Sequence, residues 1–400
     1  MGVQSLNQAV DVDGGQQNGG CSGWRPPGYI RDAGNRGRQQ PSRCRAGENN
    51  LKDKNGNFLL FGGNGYDGSG TLGFLNDLWQ YNPTTQQWTW MSGSTSVGKR
   101  LVCQAGLYGT QGVAGANNTP GGRSVQASWV DSNNNYWIFG GIGCDSAGIT
   151  GNLNDLWEFS PATKMWTWIS GSTIVGVTSG GPTGVYGSQG IAAATNVPGG
   201  RIPAANWIDS SGNFWIFGGQ AFDSKGTEGL LNDLWEFDFA NREWIWWGGS
   251  DVVSQADQGP SGVYGTVGTP ASSNVPGGRL GSVGWTDSNG NFWLFGGHGF
   301  DSAGNDGNLN DLWKFDPGTK MWTWMSGSKT DTIPTSGIII PYVSGVYGTL
   351  GIPGPDNTPG SRSDSSTYID NSGNLWLFGG FGNDANGTAG NLNDLWRYTP

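Results

Sequence analysis

Histidine occurs once in these 400 residues, at His298, and only 13% of the residues are charged. A Ser–His–Asp site would therefore have to use His298, and nothing in the sequence sets a nucleophile beside it. Four cysteines, Cys21, Cys44, Cys103 and Cys144, are too few for a disulfide scaffold, and their spacing fits no zinc pattern. The net charge of -10 comes with no basic stripe, which excludes a nucleic-acid partner. No run of about 18 apolar residues occurs, so no membrane span is expected. The first ten residues, MGVQSLNQAV, lack a basic segment followed by an apolar one and do not read as a secretory signal. There is no G-x-x-x-x-G-K-[ST] phosphate loop, and no cofactor is expected.

What the chain has is glycine and tryptophan in register: 74 Gly and 22 Trp. The Phe of an F-G-G motif recurs at Phe61, Phe139, Phe217, Phe295 and Phe378, in steps of 78, 78, 78 and 83. The Trp of N-D-L-W recurs at Trp79, Trp157, Trp235, Trp313 and Trp396 with the same steps. A fixed period means one array of units rather than two or three unrelated domains.

The second copy shows the unit. Ser124 to Val130 is half apolar, Asp131 to Asn135 is a turn, and Tyr136 to Phe139 is aromatic and β-branched up to Gly140-Gly141. Leu153 to Phe159 alternates, Ser160 to Thr163 is a Pro-containing turn, and Met165 to Ile169 carries Trp166 and Trp168. Period two without any helical period predicts four short strands joined by turns. Repeated about an axis, such a meander is a β-propeller blade.

These residues resemble the kelch repeat of the galactose oxidase-like superfamily. The points of likeness are P-G-G-R before the first strand, Gly-Gly ending the second, L-N-D-L-W in the third and a Trp in the fourth. The match runs over roughly residues 45–400, with units at about 45–91, 123–169, 201–247, 279–325 and 362–400. The fold expected is an all-β, kelch-type β-propeller of four full blades plus a three-stranded fifth. The surplus over a usual kelch repeat of about 50 residues lies between strand four and the next strand one. That long loop should share a face with the hairpin after strand two, and ligands are expected there.

The fifth copy stops at Tyr398-Thr399-Pro400, and the resemblance implies ring closure by an x-W-T-W strand from the other end. Residues 1–50 do not contain one and are set apart as an irregular tail, with the propeller at 51–400. Read one nucleotide later, permitted codons for residues 5–20 and 30–48 yield W-T-W and Y-G-T-Q-G stretches. The recovered Trp and Tyr fall at positions 12 and 30, one period before Trp90 and Tyr108. The tail is thus expected to be a frame-shifted repeat; a Gly/Gln/Arg-rich tail is the plainer reading.

Asp145, Asp223 and Asp301 follow the Gly-Gly doublets and are candidate calcium ligands, or else caps of tight turns. Arg123, Arg201, Arg279 and Arg362 should pair with Asp155, Asp233 and Asp311 and their counterparts on strand three, or with backbone carbonyls, since a buried charge needs a partner. The tryptophans are expected to pack between blades. Cys103 and Cys144 both break the repeat at one blade junction and are either disulfide-bonded or a pair of free thiols.

Positions that vary inside the fixed frame carry more information about binding. Directly after Gly-Gly stand Gln220, His298 and Phe381; two further on stand Phe222, Phe300 and Asn383. These six and the loop tyrosines Tyr108, Tyr186, Tyr264 and Tyr347 are the expected ligand surface, with neutral drift as the alternative. Copper radical oxidases, to which some kelch propellers are similar, need two histidines, so that chemistry is excluded. The expected function is non-catalytic binding of a polysaccharide or protein, with a glycan-active enzyme or a passive adhesion repeat as alternatives. The composition, with few Lys and many Asn, Thr and Trp, fits an exported or cell-surface bacterial-type protein.

Overall fold

The computed structural model describes residues 43–47, 49–98, 103–176, 180–255, 257–331 and 342–400. These form 28 strands and no helix. Each repeat is an antiparallel meander in chain order. In the fourth blade, Val283–Thr286 pairs with Phe292–Phe300, which pairs with Asp306–Asp316, which pairs with Met321–Ser326. The two-residue strand Arg279–Leu280 joins the same sheet ahead of it. The fifth blade has Arg362–Ser363, Ser366–Ile369, Leu375–Asn383 and Ala389–Tyr398, and among the described residues no fourth strand pairs with them. Neighbouring first strands approach one another from blade to blade, which puts the first strand innermost.

The core lies between blades. One cluster joins Trp207, Trp215, Phe217 and Leu234 of the third blade to Phe292, Trp313, Phe315 and Trp322 of the fourth. Period two makes this possible: alternate residues of each central strand face opposite neighbours, so every blade presents an aromatic side in both directions.

Three expectations change. The Gly-Gly doublet does not end strand two. In the last three blades the strand runs through it, from Phe214 to Phe222 in the third, with a register shift between Phe217 and Gly219. The doublet is a bulge, and both glycines sit at positive φ, Gly218 at 50° and Gly219 at 102°. The propeller also begins before residue 51: Arg43–Ala46 pairs with Asn64–Tyr66, and Asn49–Lys52 pairs with Phe58–Phe61. Arg45, one period before Arg123, bonds Asp77 at 2.9 Å in the frame as written, so Arg45 takes the repeat's arginine role without any frame shift. The rest of the expected frame-shifted stretch, residues 1–42 and 48, lies outside the described residues.

The long loop does more than build up one face. It meets the hairpin of its own blade first: Ser302 N donates to Lys329 O at 2.9 Å. It then lines the outer strand of the next blade, with Gly190 N donating to Trp246 O at 2.8 Å and Ala193 bridging Trp244. Covering an outer edge satisfies backbone groups that would otherwise template aggregation.

Candidate functional site

Each blade is pinned by one strand-three carboxylate, buried in all but the fifth, where Asp394 is partly exposed. In the third, Arg201 donates from both terminal nitrogens to Asp233 at 2.8 Å, and Asp233 also accepts from Tyr186 Oη and Trp235 Nε1, each at 2.7 Å. Arg201 Nη1 reaches Gly218 O as well, at 3.2 Å. The same set recurs as Arg123–Asp155–Tyr108–Trp157 and Arg279–Asp311–Tyr264–Trp313. In the fifth blade it is Arg362–Asp394–Tyr347–Trp396. Burial first, and the adjoining carboxylate second, hold the phenols of Tyr108, Tyr186 and Tyr264 far above their ordinary pKa.

The tyrosines are therefore corrected as a ligand surface. Tyr108, Tyr186 and Tyr264 are buried, packed at a tilt against Trp157, Trp235 and Trp313 with their hydroxyls spent on the carboxylate. Tyr347 makes the same bond but stays 37% exposed, since among the described residues no strand-four tryptophan covers it as Trp168, Trp246 and Trp324 cover the others. The loop sequence alone concealed this, since the partner aspartate lies 47 residues downstream.

Asp145, Asp223 and Asp301 use their carboxylates on backbone N–H groups. Asp223 Oδ1 accepts from Lys225 N and Thr227 N at 2.8 and 2.7 Å, and Oδ2 from Val253 N at 3.0 Å. They tie the hairpin to the long loop. Among the described residues no group of three or more His, Cys, Asp or Glu converges as a metal site. Cys103 and Cys144 form a disulfide with Cα atoms 6.0 Å apart.

Gln220, His298 and Phe381 occupy equivalent ladder positions, opposite Leu230, Asn308 and Asn391. All three remain partly or largely exposed. Phe222, Phe300 and Asn383 leave the strand on the same side but are buried, a second correction. The long loop closes over the two phenylalanines through Gly181 and Gly259, where a Cβ would strike the rings. Asn383 donates to Gly387 O within its own hairpin at 3.1 Å.

Two of the exposed three, Gln220 and His298, have polar company that the sequence reading missed. Gln220 Nε2 donates to Glu228 Oε1 at 3.1 Å, and Asn152 of the second blade reaches the same oxygen at 3.1 Å. His298 Nε2 donates to Asp306 Oδ1 at 3.1 Å. That bond lifts the imidazole above its ordinary pKa, with burial opposing. Asp331 stands one period after Val253, where valine also occupies 97 and 175. Among the described residues its Oδ2 is buried without a partner, and burial, reinforced by Asp311 and Asp301, pushes its pKa up to about 8. The repeat alignment carried a signal for Asp331: a single acid in a column of valines.

No family model matches the chain. Among curated proteins it is similar to the N-acetylneuraminate epimerase of Escherichia coli O9:H4 (strain HS), 27% identical over 152 residues, covering 35% of this chain and 41% of that protein. The proteins of the same name from Escherichia coli (strain K12) and Shigella flexneri are 28% identical over 153 residues with the same coverage. The match thus spans less than half the length of these relatives. The solved structure of YjhT covers 88% of this chain and 80% of its own, at 16% identity and a TM-score of 0.46. No helix among the described residues is long and apolar enough to cross a membrane. Four copies of a four-stranded antiparallel meander and, among the described residues, a fifth copy without its last strand, each with its P-G-x-R or equivalent arginine locked to strand three, together with the distant sequence similarity to the curated relatives, make the chain a kelch-like β-propeller.

Proposed function

We propose that the chain is a non-catalytic kelch propeller that binds a partner, a polysaccharide or a protein, at the end where the strand two–three hairpins and the long loops meet. One observation supports it most: Gln220, His298 and Phe381 stand at equivalent, partly or largely exposed ladder positions yet share no chemistry. A position the fold required would repeat, as Asp233 and Arg201 do. The disulfide fits an oxidising compartment and hence an exported or surface protein. The test is binding to a glycan panel and to surface extracts with His298→Ala and Gln220→Ala, folding being checked by near-ultraviolet circular dichroism. Loss of about tenfold in affinity, roughly 1.4 kcal/mol, is expected; unchanged binding by both folded variants overturns the reading.

A second reading is a glycan-active enzyme, favoured by the relatives named N-acetylneuraminate epimerase and by the His298–Asp306 pair, an arrangement that can move a proton. Proton NMR of N-acetylneuraminate anomers with the protein checks it. Acceleration of anomer exchange that His298→Ala removes would replace the binding reading with this one.

A further inference from the structure

The blade interfaces are nearly copies, and one departs from the rest. Where strand four of a blade ends, a serine hydroxyl accepts the indole N–H of the next blade's fourth-strand tryptophan. Trp166 Nε1 reaches Ser92 Oγ and Trp244 Nε1 reaches Ser170 Oγ, each at 3.1 Å. The next pair in register is Trp322 with residue 248, which is glycine. Trp322 is 5% exposed, lines the cleft at this junction, and among the described residues has no acceptor for its Nε1. Its siblings Trp166 and Trp244 give that N–H to serine; at Trp322 it is left to solvent or to a ligand.

The cleft beside this donor is also larger and extends further between the blades than its sibling. Gly248 and Trp322 line a cleft of about 770 Å³ between the third and fourth blades. The corresponding cleft between the first two blades, which keeps Ser92, is about 280 Å³. Trp247 forms one wall, where the other blades carry Met91, Ile169 and Met325. It is held rigid by donating to Glu236 Oε2 at 2.6 Å. Exposed Ser272 and Ser273 form the opposite rim, in place of Ala116 and Asn117 in the smaller cleft. The one ionisable residue in the lining, Lys320, lies 4.1 Å from the Trp247 ring centroid and 3.8 Å from Glu236 Oε2, so its charge is already matched.

An indole donor reachable from the cleft, two rim hydroxyls, aromatic walls and no uncompensated charge match a neutral polyhydroxylated ring. We propose that this cleft binds a neutral sugar unit of a glycan, whose hydroxyl or ring oxygen accepts the Trp322 N–H in place of the serine. The site lies beside the outer strands, apart from Gln220 and His298, and stands whether or not the binding end proposed above is right. Trp247, Gly248 and the two serines set its shape; Trp322 orients the sugar.

The test titrates protein carrying ¹⁵N-labelled tryptophan with cello-, xylo- and laminari-oligosaccharides, with N-acetylneuraminate as the anionic comparator. Trp322→Phe assigns the indole signal. At least one neutral oligosaccharide is expected to shift the Trp322 N–H at millimolar concentration. Gly248→Ser restores the sibling residue without crowding, since a Cβ there meets nothing nearer than Gln189 Nε2 at 3.9 Å. It should weaken that binding at least about tenfold while keeping or raising the melting temperature. The proposal is overturned if no neutral oligosaccharide moves the Trp322 signal, if Gly248→Ser binds as tightly as the parent, or if the anion binds better than every neutral sugar.

Discussion

Asp233 shows how single residues carry this fold. Its carboxylate accepts from Arg201, Tyr186 and Trp235, three side chains from three different segments, all fully or nearly buried. Removing the carboxylate leaves a guanidinium buried without its counter-charge. Asp233→Asn should therefore cost about 3–5 kcal/mol, and Tyr186→Phe, which deletes one hydrogen bond, about 1–3 kcal/mol; urea unfolding followed by tryptophan fluorescence reads both. Asp331 predicts the opposite sign. Its carboxyl titrates at about 8 in the fold, against an ordinary value of 3.8. Between those values the unfolded chain releases the proton and the folded one keeps it, so stability falls as pH rises through that window. Above it the penalty is constant. Asp331→Val should stabilise by roughly 2–5 kcal/mol at pH 8 and by nothing below about pH 4. An equal gain at both pH values, measured by denaturant titration, would refute the assignment.

At the scale of one strand or loop, the Gly-Gly bulge and the disulfide matter most. The bulge lets strand two continue to the hairpin while the Gly218 carbonyl turns toward Arg201. At Gly219 a Cβ would collide with the carbonyl oxygen of Ile202, and φ is 102°. Gly219→Ala should lower the melting temperature of the array markedly, well beyond the roughly 1 kcal/mol of a tolerated glycine substitution. The disulfide joins residues 41 apart, tying the long loop to the second blade's hairpin. Chain-entropy reasoning gives about 4 kcal/mol for a loop of that size. Reduction with dithiothreitol should lower the first thermal transition; coincident melts of oxidised and reduced protein would show that this junction bears little on stability.

For the molecule as a whole, stability is distributed over interfaces between neighbours, as in any repeat array. The same tryptophan then matters differently by position. Trp322 packs into the third–fourth interface and is 5% exposed, whereas its counterpart Trp88 in the first blade is 37% exposed. Trp322→Ala should cost about 3–5 kcal/mol, and Trp88→Ala much less. Comparable losses in calorimetry would mean that the first blade's outer face is covered in solution. The fifth blade leaves Phe378 and Leu395 more than two-fifths exposed, although Phe217 and Leu234 at the same repeat positions are buried. Burial here is set by the neighbouring blade, not by residue type.

The period of 78 by itself determined the architecture. Alternating aromatics, the N-D-L-W column and turn residues at fixed offsets leave a four-stranded blade as the way for each unit to bury two faces. It also narrowed the arginines to strand-three carboxylates or backbone carbonyls, because a buried charge in every copy must be matched in every copy. Tertiary packing decided what each loop residue does. Tyr186 reads as an exposed loop aromatic until the next blade supplies Asp233. Phe222 and Gln220 share a side of one strand, and only the fold of the long loop buries the first. The Gly248 cleft needed both, since a glycine in place of serine is visible in the alignment, but the tryptophan it leaves without an acceptor belongs to the next blade. Local sequence specifies backbone form through sterics and period; side-chain exposure and pairing depend on residues tens of positions away that only folding brings within hydrogen-bond distance.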